Sequence, residues 1–426
     1  MPGLSDFVER RETVPDPGQR EALLVQAMQE VSAAFPPQVI RRPTAQERAQ
    51  VMEVAKTTLL RLLRFSGFSA VPAAYEQELL QEIERRLLGL GFLEELLRRG
   101  DITEIALTSD GKLWVKPKTG ARFVPAGVDP PPPSEVFRVV DVLLGPQGRA
   151  LTDATPTVSA RLPKTEYNPG GGRVKVIHSV LSGDQGPYPS INIRLFEPRP
   201  VPPERLLEWG ACSPEVLADL AEAVRRYLRL MIVGGTGTGK TTVLSALCNY
   251  IPKEDRIVLI EDPAEIYIDH PHVQRLEART VPPGSEAMSY TLRDGVDDAM
   301  RMTPDWLVVG EVRTGDAALS LFRAQMSDHA GMSTFHSESP EAAVRRLEAI
   351  LLADAHVAPE ATRRFLSMAV DLMVILGYDS TGKRRMLEVA QVEKELAEGE
   401  VIFSPVWRYS GDGQWYRLGQ VTRSRK

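Results

Sequence analysis

Apolar residues recur at helical spacing through the first hundred residues of this 426-residue chain. One apolar face predicts a helix over residues 21–34, which ends at a proline pair, and a second helical run covers residues 45–65. A third amphipathic pattern extends over residues 74–97 and is interrupted at Gly89 and Gly91. The chain therefore begins with helices rather than strands.

Shorter apolar runs bounded by turn signals come next, and such runs are typical of strands. They cover residues 102–107, 112–115, 174–180 and 191–196, and a helix is predicted over residues 136–144. This mixture predicts an α+β domain that ends near Phe196.

The proline-dense segment from Glu197 to Pro203 predicts an inter-domain linker that permits hinge motion. Beyond it, apolar strands alternate with helices to about residue 350, which favours a mainly parallel sheet flanked by helices. One more helix is predicted over residues 361–370, and strands or hairpins over 372–377, 385–392 and 401–407. The predicted domains are a helical extension at 1–70, an α+β domain at 71–196, a linker at 197–206 and an α/β domain at 207–426.

A glycine-rich loop at residues 234–241 satisfies the pattern G-x-x-x-x-G-K-[ST], with an apolar strand before it and a helical run after it. Backbone N–H groups of such a loop surround phosphate oxygens, Lys240 reaches the β- and γ-phosphates, and Thr241 offers a hydroxyl to Mg²⁺. The predicted nucleotide-binding residues are Gly234, Gly235, Thr236, Gly237, Thr238, Gly239, Lys240, Thr241 and Thr242. The alternative, a glycine-rich turn that binds nothing, would not require Lys and Thr side by side.

Composition narrows the class of protein. The formal net charge of -6 gives no global attraction to nucleic acid, so DNA binding would need a local basic patch. Cys212 and Cys248 cannot form a four-cysteine metal site and fit a reducing compartment. No apolar run approaches the ~20 residues of a membrane span. The charged stretch Glu9 to Glu12 lacks the apolar core of a signal peptide, so we expect a cytoplasmic protein.

Carboxylates follow two of the apolar strands beyond the loop. Glu261, Asp262 and Glu265 come after one strand, and Glu311 ends another. Because parallel strands meet the ligand crevice at their carboxyl ends, all four are expected to approach the phosphates. One would act near Mg²⁺ and another would orient the attacking water. The alternative for each is a helix cap or a solvated loop residue.

Two histidines and four arginines complete the candidate set. His329 and His336 lie at either end of a strand predicted over residues 330–335, and no third ligand has metal-site spacing, so a hydrogen-bonding sensor of the γ-phosphate is the functional alternative to a structural role. The remaining candidates are arginines, for which surface ion pairs are the alternative to a contact with the γ-phosphate. They are Arg293 and Arg301 on a helix of the second domain, and Arg173 and Arg194 on strands of the first.

Together these segments, from about residue 75 to 395, resemble the type II/type IV secretion traffic ATPase family. Gly-Gly-Thr-Gly-Thr-Gly-Lys-Thr-Thr resembles its Walker A motif, and Ile-Glu-Asp-Pro-Ala-Glu at 260–265 resembles its Asp box. Val-Val-Gly-Glu-Val-Arg at 308–313 resembles its atypical Walker B motif, and Ser-Thr-Phe-His at 333–336 resembles its His box. The resemblance implies a RecA-like P-loop NTPase domain that uses ATP and Mg²⁺.

The resemblance also implies roles. Glu265 matches the catalytic glutamate, Glu311 the Walker B glutamate that acts on Mg²⁺ through water, and His336 the γ-phosphate sensor. Arg173 and Arg194 match the arginines of the N-terminal domain that reach the nucleotide across the domain interface. Family members form homo-hexameric rings whose domains rotate during hydrolysis, working with inner-membrane components of secretion, pilus or DNA-transfer machines. A peripheral position at the inner face of the cell membrane is therefore expected.

Some features depart from the family pattern. Asp328 replaces the glycine that usually precedes the first histidine, and we expect its charge to alter γ-phosphate sensing. The four-cysteine zinc module of some members is absent, and the short C-terminal part favours the branch of tight-adherence pili and conjugative type IV secretion. Two other functions remain open: a slowly hydrolysing, nucleotide-gated scaffold, and a motor that translocates DNA.

Overall fold

The chain forms two compact units, Met1–Pro198 and Arg199–Lys426, which we describe separately from a computed structural model. The structure describes residues 14–36, 39–40, 43–68, 71–118, 122–183, 186–196, 200–279, 281 and 288–424. The first three residues of the predicted linker, 197–199, and parts of the predicted extension therefore lie outside the described residues. Within those described ranges, no helix combines the length and the hydrophobicity needed to cross a lipid bilayer.

Three helices at the start of the first unit pack into a bundle: α1 (Pro17–Ala34), α2 (Ala45–Phe65) and α3 (Ala73–Leu88). Asp16 and Thr44 cap the first two helices through reciprocal capping boxes. Apolar residues at helical spacing on all three helices form one shared core. The apolar face of the predicted helical extension is therefore buried against α3.

A six-stranded sheet forms the rest of the first unit. Its strands are β1 (Ile102–Leu107), β2 (Leu113–Pro117), β3 (Val124–Pro125), β4 (Thr157–Leu162), β5 (Gly172–Ile177) and β6 (Ser190–Leu195). The order is β3-β2-β1-β6-β5-β4, and every neighbouring pair is antiparallel. Helices α4 (Phe92–Leu97) and α5 (Pro133–Leu144) share one apolar core with this sheet. Alternate residues of β4 to β6 point away from that core, which leaves one polar face.

The second unit is built on a nine-stranded sheet in the order β15-β14-β13-β12-β7-β11-β10-β8-β9. Its strands are β7 (Leu230–Gly234), β8 (Ile257–Glu261), β9 (Val273–Glu277), β10 (Trp306–Val312), β11 (Ala330–Phe335), β12 (Leu372–Tyr378), β13 (Arg384–Ala397), β14 (Glu400–Tyr409) and β15 (Trp415–Arg417). The six strands from β12 to β9 run parallel, and β13 to β15 extend the sheet antiparallel. The predicted α/β class with N-terminal helices is confirmed.

Helices cover both faces of this sheet. They are α6 (Glu204–Glu208), α7 (Pro214–Arg225), α8 (Lys240–Leu247), α9 (Leu292–Ala299), α10 (Gly315–Met326), α11 (Pro340–Ala355) and α12 (Pro359–Ala369). Two separate apolar cores lie on the two faces, one with α7 and α8 and the other with α9 to α12. Strands β7, β8 and β11 are buried along their whole length, as a parallel sheet covered on both faces requires.

A buried ion network joins the C-terminal tail to the sheet. The Asp371 carboxylate accepts hydrogen bonds from Arg229 Nε at 2.9 Å and from Arg423 Nη1 at 2.6 Å, and the three side chains are at most 5% exposed. Burial alone would raise the pKa of Asp371, but the bonds from the two guanidinium groups hold it below its ordinary value. Gln391 Oε1 accepts from the backbone N–H groups of Thr422 and Arg423, which fixes the tail beside β13.

We predict that Asp371→Asn lowers the free energy of unfolding by about 3–5 kcal/mol, because two guanidinium groups would remain buried without a counter-charge. The matched control is Glu388→Gln, whose partner Arg408 is 56% exposed and for which we expect a loss of about 1 kcal/mol or less. Urea unfolding followed by circular dichroism compares the two variants. Equal losses would contradict the assigned importance of the buried network.

Candidate functional site

The glycine-rich loop connects the end of β7 to the start of α8. Gly237 and Gly239 have φ values of 77° and 94°, in the left-handed region that favours glycine. Gly234 lies so close to its neighbours that a Cβ atom would be 2.5 Å from Thr238 Oγ1 and 2.9 Å from the Leu376 carbonyl oxygen. The loop therefore needs glycine for conformation at two positions and for space at a third.

Lys240 occupies the inside of this loop. Its side-chain Nζ donates to the carbonyl oxygens of Gly234 at 2.9 Å and Gly235 at 3.0 Å, and the residue is buried. Thr238 Oγ1 donates to the Gly235 carbonyl at 2.9 Å. Thr236 and Gly237 are exposed, whereas Thr241 and Thr242 are half-buried in the first turn of α8. The predicted phosphate-binding residues thus form one continuous turn at a helix N-terminus.

The segment after β8 carries Glu265 and is held by a buried carboxylate. Glu261 Oε1 accepts from the backbone N–H groups of Glu265 at 2.8 Å and Ile266 at 2.7 Å, with the Glu261 side chain 2% exposed. Ser245 Oγ, on α8, donates to the Tyr267 carbonyl at 2.7 Å. The backbone around Glu265 is therefore bonded both to β8 and to the helix that follows the phosphate loop.

Glu261 itself does not serve the predicted role. Burial raises the pKa of its carboxyl to about 7, although the two backbone N–H donors and Arg275, 3.6 Å away, oppose that rise. Of the four carboxylates expected near the phosphates, Glu261 is the one with a structural role, because its Oε1 is bonded to its own loop and Arg275 lies 3.6 Å from its Oε2. Asp262 is exposed, and Glu265 is half-buried.

Glu311 lies near the end of β10, between β8 and β11 in the sheet. Its carboxylate accepts from Arg313 Nε at 2.6 Å and its side chain is 27% exposed. Thr334 Oγ1, on β11, donates to the Gly310 carbonyl at 2.6 Å, while a Cβ on Gly310 would lie 3.3 Å from Glu261 Cγ. Close contacts of Gly310 with β11 and with Glu261 therefore fix the position of the adjoining residue, Glu311.

His336 directly follows β11, whose last residue pairs in register with Val233 of β7. Partial burial lowers the pKa of His336, Lys240 and Arg346 lower it further, and Glu311 opposes them. Lys240 begins the helix after β7 and Glu311 lies near the end of β10, the two strands on either side of β11. The lowered pKa favours the neutral ring, which has one donor and one acceptor nitrogen.

His329 and Asp328 lie at the opposite, N-terminal end of β11. They precede β11, which runs parallel to β7, so a whole strand of six residues separates them from His336. A ring nitrogen of His329 lies 3.0 Å from the Ala324 carbonyl oxygen, which is a structural contact. The expectation that Asp328 alters γ-phosphate sensing is wrong, and its φ of 73° explains instead why glycine suits this position.

The arginines divide into two groups. Arg293 on α9 lies 3.7 Å from Asp297, and Arg301, just beyond the end of α9, lies 3.7 Å from Asp298. Both arginines are exposed, as in the surface ion-pair alternative. In the first unit, Arg173 and Arg194 are direct cross-strand partners on the polar face of the sheet. Arg161 of β4 pairs in register with Arg173 and extends this row. Sequence reasoning missed Arg161 because its strand was not predicted.

Comparison with known sequences identifies one family. The family described as "Type II/IV secretion system protein" matches residues 152–376. A putative conjugal transfer protein of Mycobacterium tuberculosis is 32% identical over 329 residues, covering 77% of this chain and 91% of that protein. The conjugal transfer protein TrbB of Rhizobium radiobacter is 31% identical over 307 residues, covering 68% of this chain and 84% of that protein.

Comparison with solved structures supports the fold. The ATPase DotB of Legionella pneumophila has a TM-score of 0.51 to this chain at 15% sequence identity, covering 71% of this chain and 79% of that one. At this identity the likeness extends to the fold alone.

We predict that Glu261→Gln removes a pH-dependent loss of stability. The folded pKa of about 7 lies above the ordinary value of 4.5, so the folded state binds more protons between these values. The free energy of unfolding therefore falls as pH rises from 4.5 through 7, on the order of 1–3 kcal/mol. Glutamine keeps an acceptor oxygen for the two N–H groups but does not ionise.

Urea unfolding of the full chain at pH 5 and pH 8 measures this difference. The variant should gain stability relative to the unmodified chain as pH rises. The control Glu254→Gln changes an exposed carboxylate near the start of β8 and should leave the pH dependence unaltered. Parallel pH profiles for all three proteins would contradict the raised pKa.

Proposed function

This chain belongs to the type II/type IV secretion system protein family, and from that membership we propose that it is an Mg²⁺-dependent ATPase motor of a secretion, type IV pilus or conjugation machine. The family predicted from the four motifs is thereby confirmed. One observation on this chain's own residues supports the proposal. Lys240 and Glu311 both act on the pKa of His336. The loop follows β7, His336 follows β11, and Glu311 lies near the end of β10, and these are three neighbouring parallel strands.

In this proposal, residues 234–242 bind the triphosphate of ATP through backbone N–H groups and the Lys240 ammonium. The oxygen ligands that Mg²⁺ prefers are available at the same edge of the sheet. Thr241 offers a hydroxyl in the first turn of α8, and Glu311, partly exposed, offers a carboxylate that acts through water. When bound, the ion neutralises charge on the β- and γ-phosphates.

Glu265 is proposed as the residue that orients and polarises the attacking water. A new bond forms between the water oxygen and the γ-phosphorus while the bond to the β–γ bridging oxygen breaks, giving ADP and inorganic phosphate. The hydrogen bonds from the Glu265 and Ile266 N–H groups to Glu261 support this role, because positioning is most of phosphoryl-transfer catalysis. The neutral His336 can accept or donate a hydrogen bond at the γ-phosphate.

The proposal includes a RecA-like core and a homo-hexameric ring at the inner face of the cell membrane, working with inner-membrane components. The order β12-β7-β11-β10-β8 supports such a core, since β11 separates the loop strand from the strand that carries Glu311. The names of the relatives, which are conjugal transfer proteins, favour export of macromolecules as the work performed.

We predict that Lys240→Ala abolishes nucleotide binding and that Glu265→Gln retains binding but lowers the rate of ATP hydrolysis at least 100-fold, as expected for loss of a group that positions the attacking water. Hydrolysis per bound nucleotide, measured with Mg²⁺ in parallel with the unmodified chain, separates the two effects. Controls are Lys253→Ala and Asp269→Asn, both exposed residues of the same unit. Hydrolysis that is equally slow in the unmodified chain and in Glu265→Gln would favour the scaffold alternative.

We further propose that Arg173 and Arg194 neutralise γ-phosphate charge during hydrolysis. Their position supports this: the two arginines lie opposite each other on the polar face of the sheet and match the family arginines that reach the nucleotide. We predict that Arg194→Ala lowers the hydrolysis rate about 10³-fold while nucleotide affinity changes little. The control is Lys175→Ala, which lies two residues from Arg173 on the same face of β5. Equal rates for Arg194→Ala and its control would overturn this role.

A further inference from the structure

The hairpin formed by β12 and β13 lies against the phosphate loop. β12 is the parallel neighbour of β7, with Leu376 in register with Gly234. Two residues further on, the Tyr378 hydroxyl donates a 2.9 Å hydrogen bond to the Gly237 carbonyl. A Cβ on Gly239 would lie 3.9 Å from Arg384 Cδ. One end of this hairpin turn is therefore hydrogen-bonded to the phosphate loop, and the other end lies beside it.

Tyr378 and Arg384 point in the same direction. They are direct cross-strand partners in an antiparallel pair, so their side chains lie on one face of the hairpin. The turn between them is well ordered by Asp379, whose carboxylate accepts from Thr381 N at 2.8 Å, Lys383 N at 3.0 Å and Arg385 Nε at 2.9 Å. The position of Arg384 beside Gly239 is thus fixed by a bonded turn.

The two neighbouring arginines of this hairpin have different partners. Arg385 is paired with Asp379 and also donates to the carbonyl oxygens of Trp209 and Gly210. Arg384 is exposed, and within the part of the chain that the structure describes its guanidinium has no hydrogen-bond or ion-pair partner. An exposed cation held beside a phosphate loop is suited to a bidentate contact with phosphate oxygens.

We propose that the β12–β13 hairpin is part of the nucleotide site, with Arg384 binding the phosphate chain of the nucleotide and Tyr378 positioning the loop. The inference rests on the proposed nucleotide binding by residues 234–242. The Tyr378 hydroxyl holds the Gly237 carbonyl from the hairpin, next to the Thr238 N–H, which donates to the Gly235 carbonyl at 3.5 Å. Arg384 adds an exposed positive charge beside Gly239, on the same face of the hairpin as Tyr378.

Equilibrium binding of a fluorescent ADP analogue tests the proposal. We expect Arg384→Ala to weaken binding about 10-fold, Arg384→Lys to recover part of the loss, and Tyr378→Phe to weaken binding about 3-fold. The control Lys383→Ala removes the adjacent exposed cation of the same turn and should change the affinity less than 2-fold. Thermal unfolding of each variant confirms that the fold is intact.

Competition by inorganic tripolyphosphate identifies the part of the nucleotide that Arg384 contacts. If Arg384 binds phosphates, Arg384→Ala weakens tripolyphosphate and ADP by similar factors; if only ADP is weakened, the phosphate assignment is overturned. Lys240→Ala separates this inference from the proposed function. Loss of binding in Lys240→Ala with unchanged affinity in Arg384→Ala would overturn the hairpin's role alone, whereas unchanged binding in Lys240→Ala would overturn nucleotide binding by the loop.

Discussion

The parallel register of the central strands is the constraint on which the rest of the second unit depends. β7, β8 and β11 are buried along their whole length between two apolar cores, so they cannot shift by one residue without moving side chains out of both cores. Since these strands run in one direction, the residues that follow them meet at one edge. The phosphate loop and His336 follow the adjacent strands β7 and β11, and Glu265 follows β8 at the same end of the sheet.

Short polar contacts then order the backbone at this edge. Glu261 holds the segment of Glu265, Ser245 joins that segment to α8, and Thr334 joins β11 to β10 beside Glu311. Each contact uses a buried or half-buried side chain to bond a backbone group that no strand pairing satisfies. A site whose groups are placed in advance needs little reorganisation when charge develops on a transferring phosphoryl group. The apolar sheet determines which segments lie at this end of the strands, and these hydrogen bonds determine the conformation of each segment.

Local patterns predicted much of this arrangement. Helical periodicity predicted the bounds that α2 has in the structure. The buried strands were predicted because they are short apolar runs beside turn signals. β4 was not predicted, because its alternating Thr157, Ser159 and Arg161 resemble a polar loop when only local sequence is considered. The roles of Glu261 and Tyr378 had no local signal. Tyr378 is 141 residues from Gly237, and their contact follows from the placement of β12 beside β7, which local patterns do not encode.

That placement also connects the phosphate loop to the start of the second unit. Gly237 is bonded to Tyr378, the adjoining Asp379 pairs with Arg385, and Arg385 donates to the carbonyl oxygens of Trp209 and Gly210, which directly follow α6. A chain of contacts transmits movement only if one of its members has two arrangements. The bond from Tyr378 is a single hydrogen bond of an exposed side chain, of net worth about 1 kcal/mol. Within this series of contacts, a rearrangement of the loop would break the Tyr378 bond first. The other contacts are an ion pair and a guanidinium group that donates to two carbonyl oxygens.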